Sequence, residues 1–266
     1  MCIRDSTRTV EQERLLDLEP VLAPLDAIVR WRRTTVRRTG GTVHVQIYTM
    51  QSVEEARAVA ALGVDHVGVT PASHGLPGEI TFGLANGIVA AIKGTATSVA
   101  LTVDSDPAAI EDMVRVVHPD ILHLCGVPGA VGPDAVGRLR QSLPEVRVMQ
   151  AIAVTGPAAI DVARSYEPVV DYLILDSVDP SIPGVGAAGV VHNWEVSAAI
   201  VDSVNVPVIL AGGLGPDNVA DAIDAVHPWG VDSLTRTNHF VPGGGFQKDL
   251  DLVSAFRDAA HTGGVA

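Results

Sequence analysis

From Thr42 onward, eight short apolar runs alternate with eight patterns of helical period, and that alternation restricts the chain to very few folds. The expected strands are Val43–Tyr48, His66–Thr70, Ser98–Val103, Ile121–Leu124, Arg147–Ile152, Tyr172–Leu175, Val206–Leu210 and Val231–Leu234. The expected helices are Val53–Leu62, Leu84–Ile92, Pro107–Val117, Pro133–Leu143, Pro157–Ser165, Trp194–Val204, Asn218–Val226 and Lys248–Ala259. Strands that each lead into a helix run parallel, and eight such units argue for a closed α/β architecture, the (β/α)8 TIM barrel. A length of 266 residues suits one such barrel. The chain is 47% hydrophobic but only 4% aromatic, the aliphatic core that parallel strands require. An open doubly wound sheet is the alternative, although no Gly-x-Gly-x-x-Gly follows the first strand as its dinucleotide-binding form demands.

Several strands begin alike, at Gly63-Val-Asp65, Pro119-Asp120, Val170-Asp171 and Gly230-Val-Asp232. The recurrence predicts one supersecondary unit used repeatedly. The barrel is expected over residues 42–266 as a single domain, with residues 1–41 as an N-terminal extension. That extension opens on Met1-Cys-Ile-Arg-Asp-Ser6, which reads like a translated sequencing adapter, and carries an arginine cluster from Arg30 to Arg38. The cluster reads as a nucleic-acid arm, as a frayed extension, or as residues upstream of the true start. The chain as a whole has a net charge of −13, and the barrel region holds most of the acid. Such a surface disfavours nucleic acid and anionic membranes. No apolar run reaches the ~18 residues of a membrane span. There is no secretory signal with an apolar centre. Cys2 and Cys125 make no disulfide framework, so a reducing cytoplasm is expected.

In a barrel of this type chemistry sits at the C-terminal ends of the strands. The stretch Leu210-Ala-Gly-Gly-Leu-Gly-Pro-Asp-Asn-Val219 places Gly212 and Gly213 between a buried strand and a helix start, where bare backbone N–H groups can meet a phosphate. Ser233, Thr235 and Arg236 at the end of the last strand, and the run Gly243 to Gly245, extend that expected cradle. Asp176 follows Tyr172-Leu-Ile-Leu175 directly, so its carboxyl is expected at the barrel mouth, partly desolvated and raised in pKa toward the range of a general acid. The plainer alternative is a helix cap or salt-bridge partner. His123 and Cys125 share one face of a strand, yet no further ligands at metal-site spacing accompany them, which favours a satisfied polar pair. Nothing near Cys125 activates it as a nucleophile. His74, in a loop bounded by Gly and Pro, is either an anion contact or simply exposed.

These residues resemble the phosphoribosylanthranilate isomerase family from about Val43 to the end. Val45-Gln-Ile-Tyr48 stands where the family has Val-Lys-Ile-Cys-Gly, and Gly63-Val-Asp-His-Val-Gly68 matches its second strand. Leu122-His-Leu-Cys-Gly126 stands for Val-Gln-Leu-His-Gly. Asp171-Tyr-Leu-Ile-Leu-Asp176 matches the strand bearing the general acid, and Gly186-Ala-Ala-Gly189 with Asn193-Trp194 stands for Gly-Gly-Thr-Gly and Asp-Trp. Leu210 to Val219 agrees nearly letter for letter, and Gly230-Val-Asp232 and Lys248-Asp249 match the last strand and helix.

The resemblance implies a tryptophan-biosynthesis isomerase that works by an Amadori rearrangement, aldose to ketose, with no cofactor and no metal. It implies Asp176 as general acid, Tyr48 at the position of the family's cysteine base, and phosphate contacts from Gly186, Gly212, Gly213, Ser233 and Thr235, with His74 and His123 near the substrate. The departures fall on chemistry. Tyr48 replaces the base, no arginine follows Ser73-His74 where the family binds the anthranilate carboxylate, and Leu234-Thr-Arg-Thr-Asn238 replaces Ser-Ser-Gly-Val-Glu. A neutral tyrosine with a reference pKa of ~10 is a poor base, so Asp104 or His123 are the alternatives, with a lowered tyrosine pKa as a third. Two other readings are a related barrel acting on a different phosphorylated sugar and a non-catalytic phosphosugar-binding protein. The expected partner is a phosphorylated small molecule, and the expected state a monomer or homodimer. A chain beginning at Thr42 is expected to unfold in one cooperative transition within a few degrees of the full chain in a thermal melt, and a large loss of stability would contradict the expected boundary.

Overall fold

Strand β1 (His44–Ile47) is hydrogen-bonded on both sides, to β2 (His66–Pro71) and to β9 (Gly230–Ser233), and this closes the sheet. The remaining strands of the barrel are β4 (Thr97–Thr102), β5 (Ile121–Leu124), β6 (Arg147–Ala153), β7 (Tyr172–Asp176) and β8 (Val208–Leu210). Their order around the barrel is β1-β9-β8-β7-β6-β5-β4-β2, every neighbour parallel. A two-residue strand, β3 (Glu79–Ile80), pairs with the end of β2. The computed structural model describes residues 42–72, 74–178, 184–186, 191–241 and 244–263. The expected extension 1–41, Ser73, Ala187 to Gly189 and Gly243 lie outside the described residues.

The helices are α1 (Val53–Ala61), α2 (Phe82–Ile92), α3 (Pro107–Val117), α4 (Pro133–Ser142), α5 (Ala159–Tyr166), α6 (Trp194–Ser203), α7 (Val219–Val226) and α8 (Leu250–Thr262). Side-chain oxygens start five of them. Ser52, Thr81, Asp106, Asn193 and Asp249 each accept a backbone N–H of the first turn, satisfying donors that the helix itself cannot. The eight-unit alternation therefore holds, with local differences. Lys248 does not begin the last helix. It ends β11 (Phe246–Lys248), which forms an antiparallel hairpin with β10 (Asn238–Phe240). The seventh strand starts after Pro207, not at Val206, since proline has no N–H for the ladder.

Two apolar layers follow from the period of two along each strand. Ile47, Val67, Val69, Leu122, Leu124, Leu173, Leu175, Leu210 and Val231 pack with the helices in one buried cluster. Tyr48, Val99, Ile121, Cys125, Met149, Ala151, Tyr172, Ile174, Ile209 and Ala211 form a second, inside the barrel. Gly68 belongs to the inner set by parity. A side chain there would occupy the space of the Tyr48 ring, so the glycine admits the tyrosine.

The recurring aspartates have a shared task. Asp65 Oδ2 accepts the N–H of Val45 at 2.8 Å, Asp120 Oδ2 that of Ser98 at 2.8 Å, and Asp171 Oδ2 that of Val148 at 2.9 Å. Each aspartate immediately precedes a strand and holds the start of the strand before it. Asp232 does not belong to this set. Strand β9 begins at Gly230, so Asp232 lies two residues further in, opposite Gln46 of β1.

Below the site an aromatic floor closes the N-terminal end. His44 stacks on Trp229 at 3.9 Å, His66 meets Tyr172 edge-on at 6.0 Å, and Arg147 Nη1 donates to the Tyr172 hydroxyl at 2.7 Å. Burial, reinforced by the charges of His44 and Arg147, lowers His66 from 6.5 to about 3. The unfolded chain binds this proton below pH 6.5 while the fold refuses it, so the stability is intact above that pH and is lost as the pH falls toward about 3. The melting temperature is expected to drop through that window. His66→Gln, which retains a donor for the Gln46 Oε1 now 3.0 Å from His66 Nδ1, is expected to flatten part of the drop in a pH series of thermal melts.

Candidate functional site

Strand parity also decides which polar side chains meet at the C-terminal end. A cavity of about 580 Å³, counting the space open at its mouth, is lined by Tyr48, Thr70, His123, Cys125, Asp176 and Asp232 among its polar groups. Its apolar wall is Leu76, Pro77, Leu101, Val103, Ile174, Val185 and Leu234. The cavity thus brings together Asp176, Tyr48, His123 and Gly186 of the residues expected from the sequence.

Asp176 closes β7 and is only partly covered, yet burial of its carboxyl pushes the pKa up to about 7 against the lowering effect of the Ser177 N–H, which donates to Oδ1 at 2.7 Å. Gly186, at φ +104°, brings bare backbone against that carboxyl. A Cβ there would lie 2.6 Å from Asp176 Oδ2. Tyr48 is buried, and its hydroxyl is 3.0 Å from His123 Nδ1. Burial, then the charge of Asp232, raises the Tyr48 pKa well above 10, so the expectation of a lowered tyrosine is corrected. Burial lowers His123 to about 3, leaving it neutral, and its Nε2 has no partner. The Cys125 thiol donates to the Val185 carbonyl at 2.5 Å, and burial pushes its pKa up, so no thiolate is available.

Sequence reasoning missed Asp232 as a site residue. It is buried, and its Oδ1 has no hydrogen-bond partner. Burial, with the negative charge of Asp176 next, raises it to about 8. The side chain of Gln46, opposite on β1, and then the charge of Lys248 oppose this shift. Its ammonium donates to Leu234 O at 2.9 Å, Thr237 Oγ1 at 3.3 Å and Asn238 Oδ1 at 2.6 Å, while burial lowers its pKa to about 7. Counting by twos from Gly230 would have placed Asp232 inside; its likeness to the strand-opening aspartates concealed it.

The glycine loop after β8, where the sequence places the expected phosphate cradle, is held in one conformation. Gly212 and Gly213 adopt φ of +85° and +65°. Asn218 fixes the loop by accepting the Gly215 N–H at 2.8 Å and donating to Gly213 O at 3.1 Å. Ser233 is spent on this scaffold. It points out of the cavity by parity and donates to Leu214 O at 2.8 Å. Thr235 lies in the short 3-10 turn Thr235–Thr237, and Arg236 is clamped by Asp217 at 2.8 and 2.6 Å. Beneath Gly212, His192 bridges Ser197 at 2.8 Å and Ser177 at 3.4 Å, and burial lowers it to about 4. His74 is not part of the cavity lining; at the rim it lies 3.2 Å from Asp104, so the alternative base Asp104 is paired there. Among the described residues, no three potential ligands converge on a metal site, and no helix is long and apolar enough to cross a membrane.

A family model described as N-(5'-phosphoribosyl)anthranilate (PRA) isomerase matches residues 81–258. An N-(5'-phosphoribosyl)anthranilate isomerase of Methanocella arvoryzae is 36% identical over 212 residues, which are 80% of this chain and 95% of that protein. Its counterpart in Natronomonas pharaonis is 38% identical over 199 residues, 74% and 88% of the two chains. Among solved structures, phosphoribosyl anthranilate isomerase of Thermotoga maritima superposes with a TM-score of 0.66 at 26% identity, covering 82% of this chain and 98% of that one. A phosphoribosyl anthranilate isomerase in complex with reduced 1-(o-carboxyphenylamino)-1-deoxyribulose 5-phosphate superposes at 0.63 with 25% identity, over 82% of this chain and 98% of that one.

The cradle is testable without knowledge of the substrate. Gly213→Asp introduces a residue type that tolerates positive φ, so the variant is expected to fold, and its negative charge is expected to repel an anion at the loop. Calorimetric titration with ribose 5-phosphate is expected to show saturable binding to the parent protein and none to the variant; equal affinity in both would remove the loop from the site.

Proposed function

The chain belongs to the N-(5'-phosphoribosyl)anthranilate isomerase family, and on that premise we propose that it isomerises a phosphorylated ribosylamine from aldose to ketose. The observation that carries the reading is Asp176, a carboxyl raised to about 7 in the lining of the cavity. In that state it can give a proton to the ribose ring oxygen. The C1–O bond breaks as the amine lone pair forms the C1=N bond. Loss of the C2 proton then yields an enaminol, and its tautomerisation gives the ketose. Phosphate held at Gly212 and Gly213 supplies binding energy away from the reacting carbons and orients them. The reading includes a monomer or homodimer working in the cytoplasm on a phosphorylated small molecule. An isomerase of Thermotoga maritima is described as dimeric.

One observation favours a second reading, a related substrate with an uncharged amine substituent. The loop after β2 contributes Leu76 and Pro77 to the wall, and among the described residues no cation lines the cavity to meet a benzoate. Turnover of phosphoribosylanthranilate measured beside phosphoribosylaniline separates the two. Preference for the aniline supports the second reading, and no turnover of either, with ribose 5-phosphate still bound, leaves a phosphosugar-binding protein.

Asp176→Asn is expected to lower kcat by about 10²-fold or more, the scale of lost acid–base help, with little change in affinity for ribose 5-phosphate. Full activity in that variant would overturn the assignment of the acid.

A further inference from the structure

We propose that Asp232 is the base of this reaction, its carboxylate taking the C2 proton of the ring-opened imine in place of the residue that Tyr48 displaces. The assignment rests on the isomerase reading above. Asp232 lines the same cavity as Asp176 and comes from the strand on the other side of β1 from β2. Its Oδ1 is buried and has no partner, although buried carboxylate oxygens are almost always hydrogen-bonded. An unbonded lone pair on a carboxylate that lines the cavity is what a proton acceptor requires, and what a structural carboxylate avoids.

The neighbouring groups are each disqualified by their own bonding. The Tyr48 phenol is held neutral and its hydroxyl is engaged with His123. The Cys125 proton is committed to Val185 O. His123 has an open Nε2, but an imidazole that protonates only at about 3 is a far weaker base than a carboxylate that protonates at about 8. Asp104 is at the rim with His74.

Asp176 and Asp232 interact as like charges in one buried space, so charge on one favours the proton on the other. Lys248, whose three acceptors hold it beside the end of β9, favours charge on Asp232. The groups facing Asp232 are then Asp176 from β7, Gln46 and Tyr48 from β1, Cys125 after β5 and Lys248 from β11. The steps balance without any co-reactant. Asp176 gives its proton to the ring oxygen as the C1–O bond breaks. Asp232 accepts the C2 proton, and the C–H electrons form C1=C2 while the C=N pair returns to nitrogen. Asp232 then returns a proton to C1 as Asp176 recovers one from the C2 hydroxyl, which becomes the ketone.

The full-length protein is assayed on phosphoribosylanthranilate and phosphoribosylaniline, and binding of the reduced ketose analogue is measured in parallel. Asp232→Asn is expected to lower kcat by about 10³-fold, within the usual span for a lost general base, with analogue affinity changed less than about threefold. Asp232→Glu, which moves the carboxylate by one methylene, is expected to retain part of the rate and to show a primary isotope effect on kcat with C2-deuterated substrate. Asp232→Ala is expected to regain rate with added formate in a saturable manner, a response that a structural role would not give. Asp232→Asn within tenfold of the parent, or loss of rate together with loss of analogue binding and no formate rescue, overturns the proposal while the isomerase reading stands. A parent protein inactive on both substrates overturns the reading itself, and the base assignment with it.

Discussion

Closure between β1 and β2 is the constraint from which the rest of the molecule follows. Once β1 is bonded on both edges, the register Gln46↔His66 on one side and Gln46↔Asp232 on the other leaves no freedom in which side chains face inward. The inward set narrows from an aromatic floor of His44, His66, Tyr172 and Trp229 to a polar layer containing Tyr48, His123, Asp176 and Asp232. A slip of one residue in any strand would exchange that polar layer for the aliphatic layer that now packs on the helices.

The electrostatics of the polar layer come from the same closure. The walls exclude water from two carboxyls, an imidazole, a phenol and a thiol at once, and in every case burial is the largest cause of the pKa displacement. The result is a set of neutral donors surrounding a carboxyl pair that holds its proton at a pH where ordinary aspartates have lost theirs. Lys248, brought in by the hairpin that replaces the start of the last helix, adds a positive charge close to this pair.

Much of this was legible in the sequence, because period and order are local properties. The eight β/α units, the glycine loop at Gly212 and Gly213 and the position of Asp176 at a strand end all follow from reading consecutive residues. Ser233 and Asp232 were harder for one shared reason. Hydroxyls and carboxyls near a strand end look equally available until the first residue of the strand is known, and the start of β9 at Gly230 turns Ser233 outward and Asp232 inward. The β10–β11 hairpin was hidden by its glycines, and Leu76 and Pro77 reach the cavity through a loop whose path no periodicity encodes.

The three aspartate staples carry a consequence for how such a barrel can be divided. Asp65 joins β1 to β2, Asp120 joins β4 to β5, and Asp171 joins β6 to β7, so the ties occur at every second strand around the barrel. Across the seams, from β2 to β4 and from β5 to β6, the strand starts are joined by backbone bonds, Thr97 N–H to Asp65 O and Arg147 N–H to Asp120 O. The barrel is thereby assembled as strand–helix–strand modules of two units each, with Trp229 in the last module standing where an aspartate stands in the others and stacking on His44 of the first. New chain termini made by circular permutation will be tolerated best at the seams before β4 and β6, where an opening leaves every clasped pair whole, and worst inside a clasped pair, where it parts a strand from the residue that anchors it.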